Sequence, residues 1–545
     1  MADASPTEPA SRLMAVVASM ALVGLATVLR LHAVGSAFLF GDELWSLRLL
    51  SQPYGELFGR FDSGGAGLAL PILQKASVDL FGYSLLAVRL PSLVPALTTV
   101  VLVAMTGSRV VSSRAALFAA AILATSSMHI FYSRFGRSYA LVALLAYVFV
   151  ANLTRILAEP RPPRRRYATA AVAGGLLPWV HVLATPFVGA TAAATIVAVL
   201  MRRELRPRAR PLLAASMACV AVALLLYLPA WEATAQFARE RVRSATTAPG
   251  GPFDTLDVLT ILAGSRAGAY VLAVGIPLAA VHSLVTRGAC RLPLAVAALA
   301  TLPLVYLVAP LGGAYWYARY AIPALPAMVL LLGELIADAV GRVSARPDKV
   351  VPIAAMALAL GLWIAGPRRM AEDGPYANGY LSLVPLPTFD EPFPGMPDVY
   401  AQLEAGARII EAPLLPTRAV YLYRNYYLRH RHPTMIGILP EEGTIVLPGP
   451  YVVLDPPVDL AAYADYLVIH LDTAGELTAY FTFAQQQAAS RTPHLQALVA
   501  ETQSFWSPSD HPRPSKLLIA ALTAKHGAPL IDDGRFLVYR LRPPR

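Results

Sequence analysis

Residues 13–33 read LMAVVASMALVGLATVLRLHA, and a few residues later Gly41-Asp42-Glu43-Leu44-Trp45 sets two carboxylates side by side. A run of about 17–25 mostly apolar residues is long enough to cross the hydrocarbon core of a bilayer. The run exceeds the core of a cleaved signal peptide, so an uncleaved first span is expected. Asp42 and Glu43 then stand at the membrane edge, where carboxylates are costly to dehydrate and rarely incidental. They are also the groups that take a proton from a hydroxyl nucleophile.

Working outward, the same apolar signature recurs. Of 545 residues, 56% are hydrophobic and 14% charged, and mean hydropathy is +0.53. A soluble domain does not need so much apolar surface, so an integral membrane protein is expected. Spans are expected near 13–33, 88–108, 115–131, 138–157, 168–183, 185–201, 211–230, 268–286, 292–310, 319–340 and 350–367, about eleven in all. Basic residues fall in alternate loops: Arg109 and Arg114, Arg161 to Arg166, Arg202 to Arg210, Arg287 and Arg291, and Arg342 to Lys349. The positive-inside rule makes those loops cytoplasmic. The N-terminus is then cytoplasmic and everything after the last span extracytoplasmic, as in a multi-pass protein of a bacterial inner (plasma) membrane.

The net charge of +11 follows the same pattern. Residues 368–545 hold 15 Lys and Arg against 18 Asp and Glu, a balance of −3, so the excess lies in the membrane half. A basic chain of this kind needs no nucleic-acid partner. Cys219 falls in an expected span and Cys290 in a cytoplasmic loop, which leaves the external part without a disulfide. Two domains are expected, a transmembrane domain over 1–367 and an extracytoplasmic α/β domain over 368–545. In the long first outer loop, 34–87, Leu44–Leu50 and Leu68–Phe81 have the pattern of surface helices, as has Phe253–Leu262 further on. In the tail, Val399–Ile410, Leu495–Glu501 and Lys516–Lys525 read as helical. Ala419–Tyr423, Tyr451–Leu454, Tyr466–Leu471 and Phe536–Leu541 read as strands. There is no glycine-rich phosphate loop in the tail, so no nucleotide site is assigned to it.

With topology set, the unusual polar residues sort to one face. Asp42, Glu43 and Asp62 lie in the first outer loop, and Tyr132-Ser133-Arg134-Phe135-Gly136-Arg137-Ser138-Tyr139 lies between the third and fourth spans. His181 ends the fifth span, Glu232 follows the seventh, and Arg319-Tyr320 opens the tenth. Arginine binds phosphate oxygens through a planar fork and keeps its charge. At that depth the anion is a lipid phosphate, whose departure such cations assist, while a carboxylate opposite deprotonates the attacking hydroxyl. The chemistry these residue types suit is glycosyl transfer from a lipid-phosphate sugar.

The ordered set resembles the polytopic GT-C-fold glycosyltransferases of the dolichyl-phosphate-mannose mannosyltransferase and aminoarabinose transferase type. The resemblance rests on Asp42-Glu43, on Tyr83 to Arg89-Leu90-Pro91-Ser92, and on Tyr132 through Leu141. It continues through Trp179-Val180-His181, Tyr227-Leu228-Pro229-Ala230-Trp231, and Arg319-Tyr320 with Pro323 and Pro326. It implies a polyprenyl-phosphate sugar donor, an inverting transfer, and an acceptor that is an envelope glycan, lipid or protein. It also implies that Asp42 is the base, and that Arg137, Tyr139 and Arg319 bind the lipid phosphate. Arg134 and Tyr320 join that donor set as neighbours, and Asp62, His181 and Glu232 stand as substrate contacts. The pattern departs at Asp62-Ser63-Gly64-Gly65-Ala66-Gly67-Leu68, where relatives carry a His-Pro-Pro-Leu-like stretch.

Plainer readings stand beside each of these. Asp42-Glu43 caps a surface helix starting at Leu44. Arg134 and Arg137 anchor in lipid headgroups. His181 is a satisfied polar residue between helices. His430-Arg431-His432 is a solvated loop, with no third metal ligand near it in sequence. No cofactor is required, although paired carboxylates also suit a divalent metal, and the sequence leaves the metal open. Two other functions compete: a transporter or flippase for lipid-linked glycans, and a non-catalytic assembly protein. Transporters place ionisable groups at the midplane and carry internal repeats, neither of which the sequence shows.

Overall fold

The protein was studied as a computed structural model, which describes residues 9–32, 34, 43, 49–50, 52–59, 69–236, 239, 259, 263, 266–300, 303, 318–365, 395, 397–413, 422–423, 426, 430, 432–440, 451–455, 457–489 and 513–542. The chain divides into two compact units. The first comprises Met1–Val34, Leu50–Gly82 and Ala87–Glu372, and the second Gly35–Leu49, Tyr83–Leu86 and Asp373–Arg545.

Helices build the first unit. In chain order they are α1 (Pro9–Leu31), α2 (Tyr54–Gly59), α3 (Ala69–Phe81), α4 (Leu85–Thr106), α5 (Ser113–Ala124), α6 (Ser127–Arg134) and α7 (Tyr139–Ala158). Then come α8 (Arg164–Val180), α9 (Thr185–Met201), α10 (Ala209–Tyr227), α11 (Arg266–Arg287), α12 (Leu292–Leu299), α13 (Leu325–Val343) and α14 (Pro347–Ala365). Among the described residues eight helices are long and apolar enough to span a membrane. The pair α5 and α6, bent by 58° at a short break, makes a ninth if the two together form one broken span. The chain is a multi-pass membrane protein. Two of the eleven expected spans differ in kind. The stretch expected at 168–183 forms α8, which is 17 residues long and opens on Arg164-Arg165-Arg166, leaving its apolar part short. The stretch expected at 292–310 is described over 292–300 and at 303, and its start runs on from α11 in one long helical segment, Gly268–Leu299.

Small residues decide how closely these helices approach. The packed face of α5 includes Ala115, Ala116, Ala119, Ala120 and Ala121, all buried, and α13 lies against it. A methyl group at Gly333 of α13 would meet the Ala115 carbonyl oxygen and come within 2.9 Å of the Ala119 backbone nitrogen. Only glycine permits that contact, the small-residue packing expected where helices associate in a bilayer. Glu334, one residue on, is 1% exposed. It accepts from Ser283 Oγ at 2.6 Å, Arg291 Nη2 at 3.0 Å and Arg287 Nε at 3.3 Å. A buried carboxylate so surrounded locks α11 and the turn after it to α13, because removing a partner leaves a charge unpaired.

In the second unit six strands form one sheet: β1 (Ile409–Ala412), β2 (Thr434–Ile438), β3 (Tyr451–Val453), β4 (Tyr466–His470), β5 (Ile531–Asp532) and β6 (Phe536–Arg540). The order is β3-β2-β1-β4-β6-β5. The first four run parallel, with Ile409 beside Thr434 and Tyr466, and β6 returns antiparallel to β4. Among the described residues two longer helices belong to it, α15 (Thr473–Ala489) and α16 (Lys516–His526). Every residue of β1 and β4 is buried, as in parallel strands covered on both faces. Leu467, Ile469, Leu518, Leu522 and Tyr539 belong to the resulting core.

Several expectations for this unit change. Val399–Ile410 is not a helix: a short 3₁₀ turn, Asp398–Gln402, precedes β1. Within Ala419–Tyr423, Leu422 and Tyr423 are helical, because Tyr423 and Tyr426 turn inward together and both are buried. His430 and His432 are not solvated. The His430 side chain is 2% exposed and stacks on Tyr400 with ring centroids 4.4 Å apart. They belong to a polar cluster inside the domain. Tyr400 donates to Glu411 Oε1 at 2.5 Å and meets His470 Nε2 at 3.3 Å. His470 Nδ1 lies 3.0 Å from both Glu476 oxygens, and Tyr426 donates to Glu476 Oε2 at 2.8 Å. Most of Leu44–Leu50 and Phe253–Leu262, all of Leu495–Glu501, and the residues 60–68 fall outside the described residues.

Candidate functional site

The site begins at the break between α5 and α6. Ser126 caps α6, its hydroxyl accepting from the His129 backbone N–H at 3.4 Å. That helix carries Tyr132 on its inner side and ends at Arg134. The next four residues, Phe135 to Ser138, lead into α7, which opens on Tyr139. This loop is held from behind. Ser92 Oγ donates to the Arg137 carbonyl at 2.7 Å, and Gln74 Nε2 donates to the Gly136 carbonyl at 3.3 Å and to Val88 at 3.1 Å. A polar side chain that satisfies loop carbonyls in a buried place fixes the loop.

From Tyr132 a chain of rings runs to the far end of the bundle's sequence. Tyr132 meets Tyr139 edge-on at 4.7 Å and 62°. His181, between α8 and α9, lies 5.2 Å from Tyr139 and 5.6 Å from Tyr320. Arg319 closes the group, its guanidinium carbon 5.7 Å from the Tyr139 ring and 5.3 Å from the Tyr320 ring. Arg137 and Arg319 both lie within electrostatic reach of His181, and Arg137 is 1% exposed. Ring quadrupoles attract a guanidinium without cancelling its net charge. The arrangement therefore holds positive charge in a nearly dry place, where it acts on an anion more strongly than in water.

Of the expected residues, Arg137, Tyr139, His181, Arg319 and Tyr320 come together here, drawn from three separate stretches of sequence. Arg134 faces another way: its Nη1 donates to the His32 carbonyl at 3.3 Å, and it lies near Arg89 and Arg30. Glu232 is exposed on a short helix after α10. Glu43 is buried and belongs to the second unit. Asp42 and Asp62 lie outside the described residues. Among those described, no three His, Cys, Asp or Glu side chains are placed to hold a metal ion. Sequence reasoning passed over Arg30 and His129. One signal was available for Arg30, a lone cation inside an otherwise apolar span.

No protein-family model matches the sequence, and no curated protein matches it. Among solved structures the chain is similar to ArnT from Cupriavidus metallidurans in the apo state, at 14% identity and a TM-score of 0.47, over 96% of this chain and 99% of that one. ArnT from the same organism bound to undecaprenyl phosphate gives 16% identity and a TM-score of 0.47, over 98% and 99%. The oligosaccharyltransferase of Archaeoglobus fulgidus in complex with zinc and sulfate gives 14% identity and a TM-score of 0.47, over 90% of this chain and 70% of that one.

Proposed function

We propose that the chain is an inverting membrane glycosyltransferase that moves a sugar from a polyprenyl-phosphate donor to an acceptor in the cell envelope, outside a bacterial plasma membrane. The observation that carries the reading is the buried cationic cluster: Arg319 between the Tyr139 and Tyr320 rings, with Arg137 nearby across His181. Such a cluster suits the phosphate of a lipid whose tail stays in the bilayer. In the transfer, the acceptor hydroxyl gives its proton to the Asp42 carboxylate, and its oxygen bonds to the anomeric carbon. The bond from that carbon to the phosphate oxygen breaks on the opposite side. The electron pair leaves with the lipid phosphate, whose growing charge Arg137 and Arg319 stabilise. Glu43 orients Asp42. Asp62, His181 and Glu232 are the remaining substrate contacts of this reading.

The test is binding followed by transfer. Purified protein in nanodiscs is titrated with undecaprenyl phosphate, then supplied with a radiolabelled polyprenyl-phosphate sugar. Arg137→Ala and Arg319→Ala each remove a charge-assisted hydrogen bond, about 1.5–3 kcal/mol, and weaken binding by roughly ten- to a hundredfold. Wild-type affinity in both variants would remove the two arginines from the site. Binding without any transfer would favour a carrier of lipid-linked glycans over an enzyme.

A further inference from the structure

Arg30 is fully buried within the first span, and among the described residues its contacts are backbone carbonyls and a histidine rather than a carboxylate. Its guanidinium is spent on backbone. Nη1 donates to the Ala26 carbonyl at 3.1 Å in its own helix and to the Ala124 carbonyl at 2.9 Å. Nη2 donates to the Leu123 carbonyl at 2.9 Å and lies 2.7 Å from His129 Nδ1. Leu123 and Ala124 are the last two residues of α5, where a helix leaves its carbonyls without helical partners, and the Ser126 N–H reaches the Leu123 carbonyl only at a long 3.4 Å. Inside a bilayer no water satisfies them, so a break at this depth needs a donor from elsewhere. Arg30 is that donor, and with the same fork it reaches His129 on the other side of the break. One side chain thus grips both arms of the 58° bend.

We infer that Arg30 is a positioning residue for the cationic site: it fixes the angle between α5 and α6 and so places Tyr132, Tyr139 and the Arg137 loop. The path is short and each step is a contact. His129 sits one turn before Tyr132 on α6, Tyr132 packs edge-on against Tyr139, and Tyr139 faces Arg319 and His181. Arg134, at the end of α6, reaches back to the His32 carbonyl, so the end of α1 holds the second arm at two places. A bend without this bracket would swing the far end of α6 and carry the Phe135–Ser138 loop with it. The inference rests on the lipid-phosphate reading for what the loop binds, and on geometry alone for what sets its position.

Two measurements on the full chain in detergent separate these. Amide hydrogen exchange over residues 123–139, compared with the rest of the bundle, reports the bend, and affinity for undecaprenyl phosphate reports the site. Arg30→Met keeps the bulk and loses every donor. It is expected to raise exchange selectively over 123–139 and to weaken the lipid phosphate about tenfold, as misplaced binding groups do. Arg30→Lys keeps charge and some donors but not the fork, and is expected to restore part of both. His129→Leu removes one contact and should give the same local pattern in milder form, which covers the case of Arg30→Met failing to fold. Unchanged local exchange overturns the inference, and so does an equal rise across all helices, which marks Arg30 as core alone. Lost affinity with an undisturbed bend also overturns it, since Arg30 would then touch the ligand itself. If wild-type protein does not bind the lipid, the functional reading falls while the exchange comparison still decides the bracket.

Discussion

Asp42 carries the sharpest residue-level expectation, because one atom exchange separates orienting a hydroxyl from deprotonating it. Asp42→Asn keeps size and hydrogen bonding but cannot accept a proton, so transfer should fall on the order of 10²–10⁴-fold while lipid-phosphate binding survives. Glu43→Gln should be milder. A radiolabel transfer assay on both variants decides, and greater damage from Glu43→Gln would hand the role to Glu43. A second expectation concerns the polar cluster of the sheet domain. Burial pushes the Glu411 carboxyl up to about 7 despite nearby His470. Burial alone would lower His470, but the Glu476 carboxylate beside it raises it overall. His430 is held down to about 3 by burial and by the neighbouring histidines. Groups raised in the folded state contribute stability at low pH and lose it as pH climbs through their folded values. His430 works in the opposite sense, but its contribution fades as pH rises past about 6.5, where the unfolded imidazole also loses its proton. From there towards pH 8 the domain should therefore lose stability as Glu411 and His470 give up their protons. The readout is exchange protection of β1 and β4, and Glu411→Gln should flatten its pH slope. Rising protection over that window would refute the assignment. Of these residues only His430 drew notice in sequence, as a solvated loop, because its partners Glu411, His470 and Glu476 lie on separate short stretches, while Arg137, Tyr139 and Arg319 were legible as cations and rings at span ends.

Element-level reading succeeded where a period had room to repeat. Runs of some twenty apolar residues announced α1, α4, α7 and α13, whereas the bend between α5 and α6 was read through as one span, 115–131, despite the polar Thr125-Ser126-Ser127 inside it. What breaks the helix there is Thr125 and Ser126. Thr125 bonds back to the Ala121 carbonyl at 2.8 Å, and Ser126 starts a new cap. Short strands were harder. β1 spans four residues and β2 five, too few to separate a strand from one helical turn, and full burial removes the alternation that marks a half-exposed strand. Tertiary packing also sets the test at this scale. Gly333→Ala adds a methyl against the Ala115 and Ala119 backbone, which cannot rotate away. Overpacking of this kind costs about 1–3 kcal/mol, so the unfolding temperature of the bundle should drop by a few degrees. An unchanged midpoint would mean that α5 and α13 part freely, contrary to the tight packing described.

For the whole molecule, charge and topology make one argument. The membrane half carries the basic excess and the tail is slightly acidic, and the arginines fall in alternate connections, as they do when a bilayer sorts loops by charge. On the proposed topology, with the N-terminus cytoplasmic, the Phe135–Ser138 loop, His181 and Arg319 are expected on the outer side. The proposed transfer requires that side for its lipid-phosphate donor. The number of crossings decides it, because one crossing more or fewer before α14 moves the tail across the membrane. The bend between α5 and α6 and the short α8 are the places where the number is most exposed. If the pair re-enters on the side it came from, the Arg109–Arg114 connection and the Arg137 loop share a face and the charge alternation fails. Cysteine-reactive labelling of intact cells tests this directly, in a background with Cys219 and Cys290 replaced. Single cysteines at 160, 240 and 544 should react with a membrane-impermeant maleimide only at the last two positions, with 160 labelled after the cells are opened. Protection of 544 in intact cells would place the sheet domain in the cytoplasm, away from any envelope acceptor.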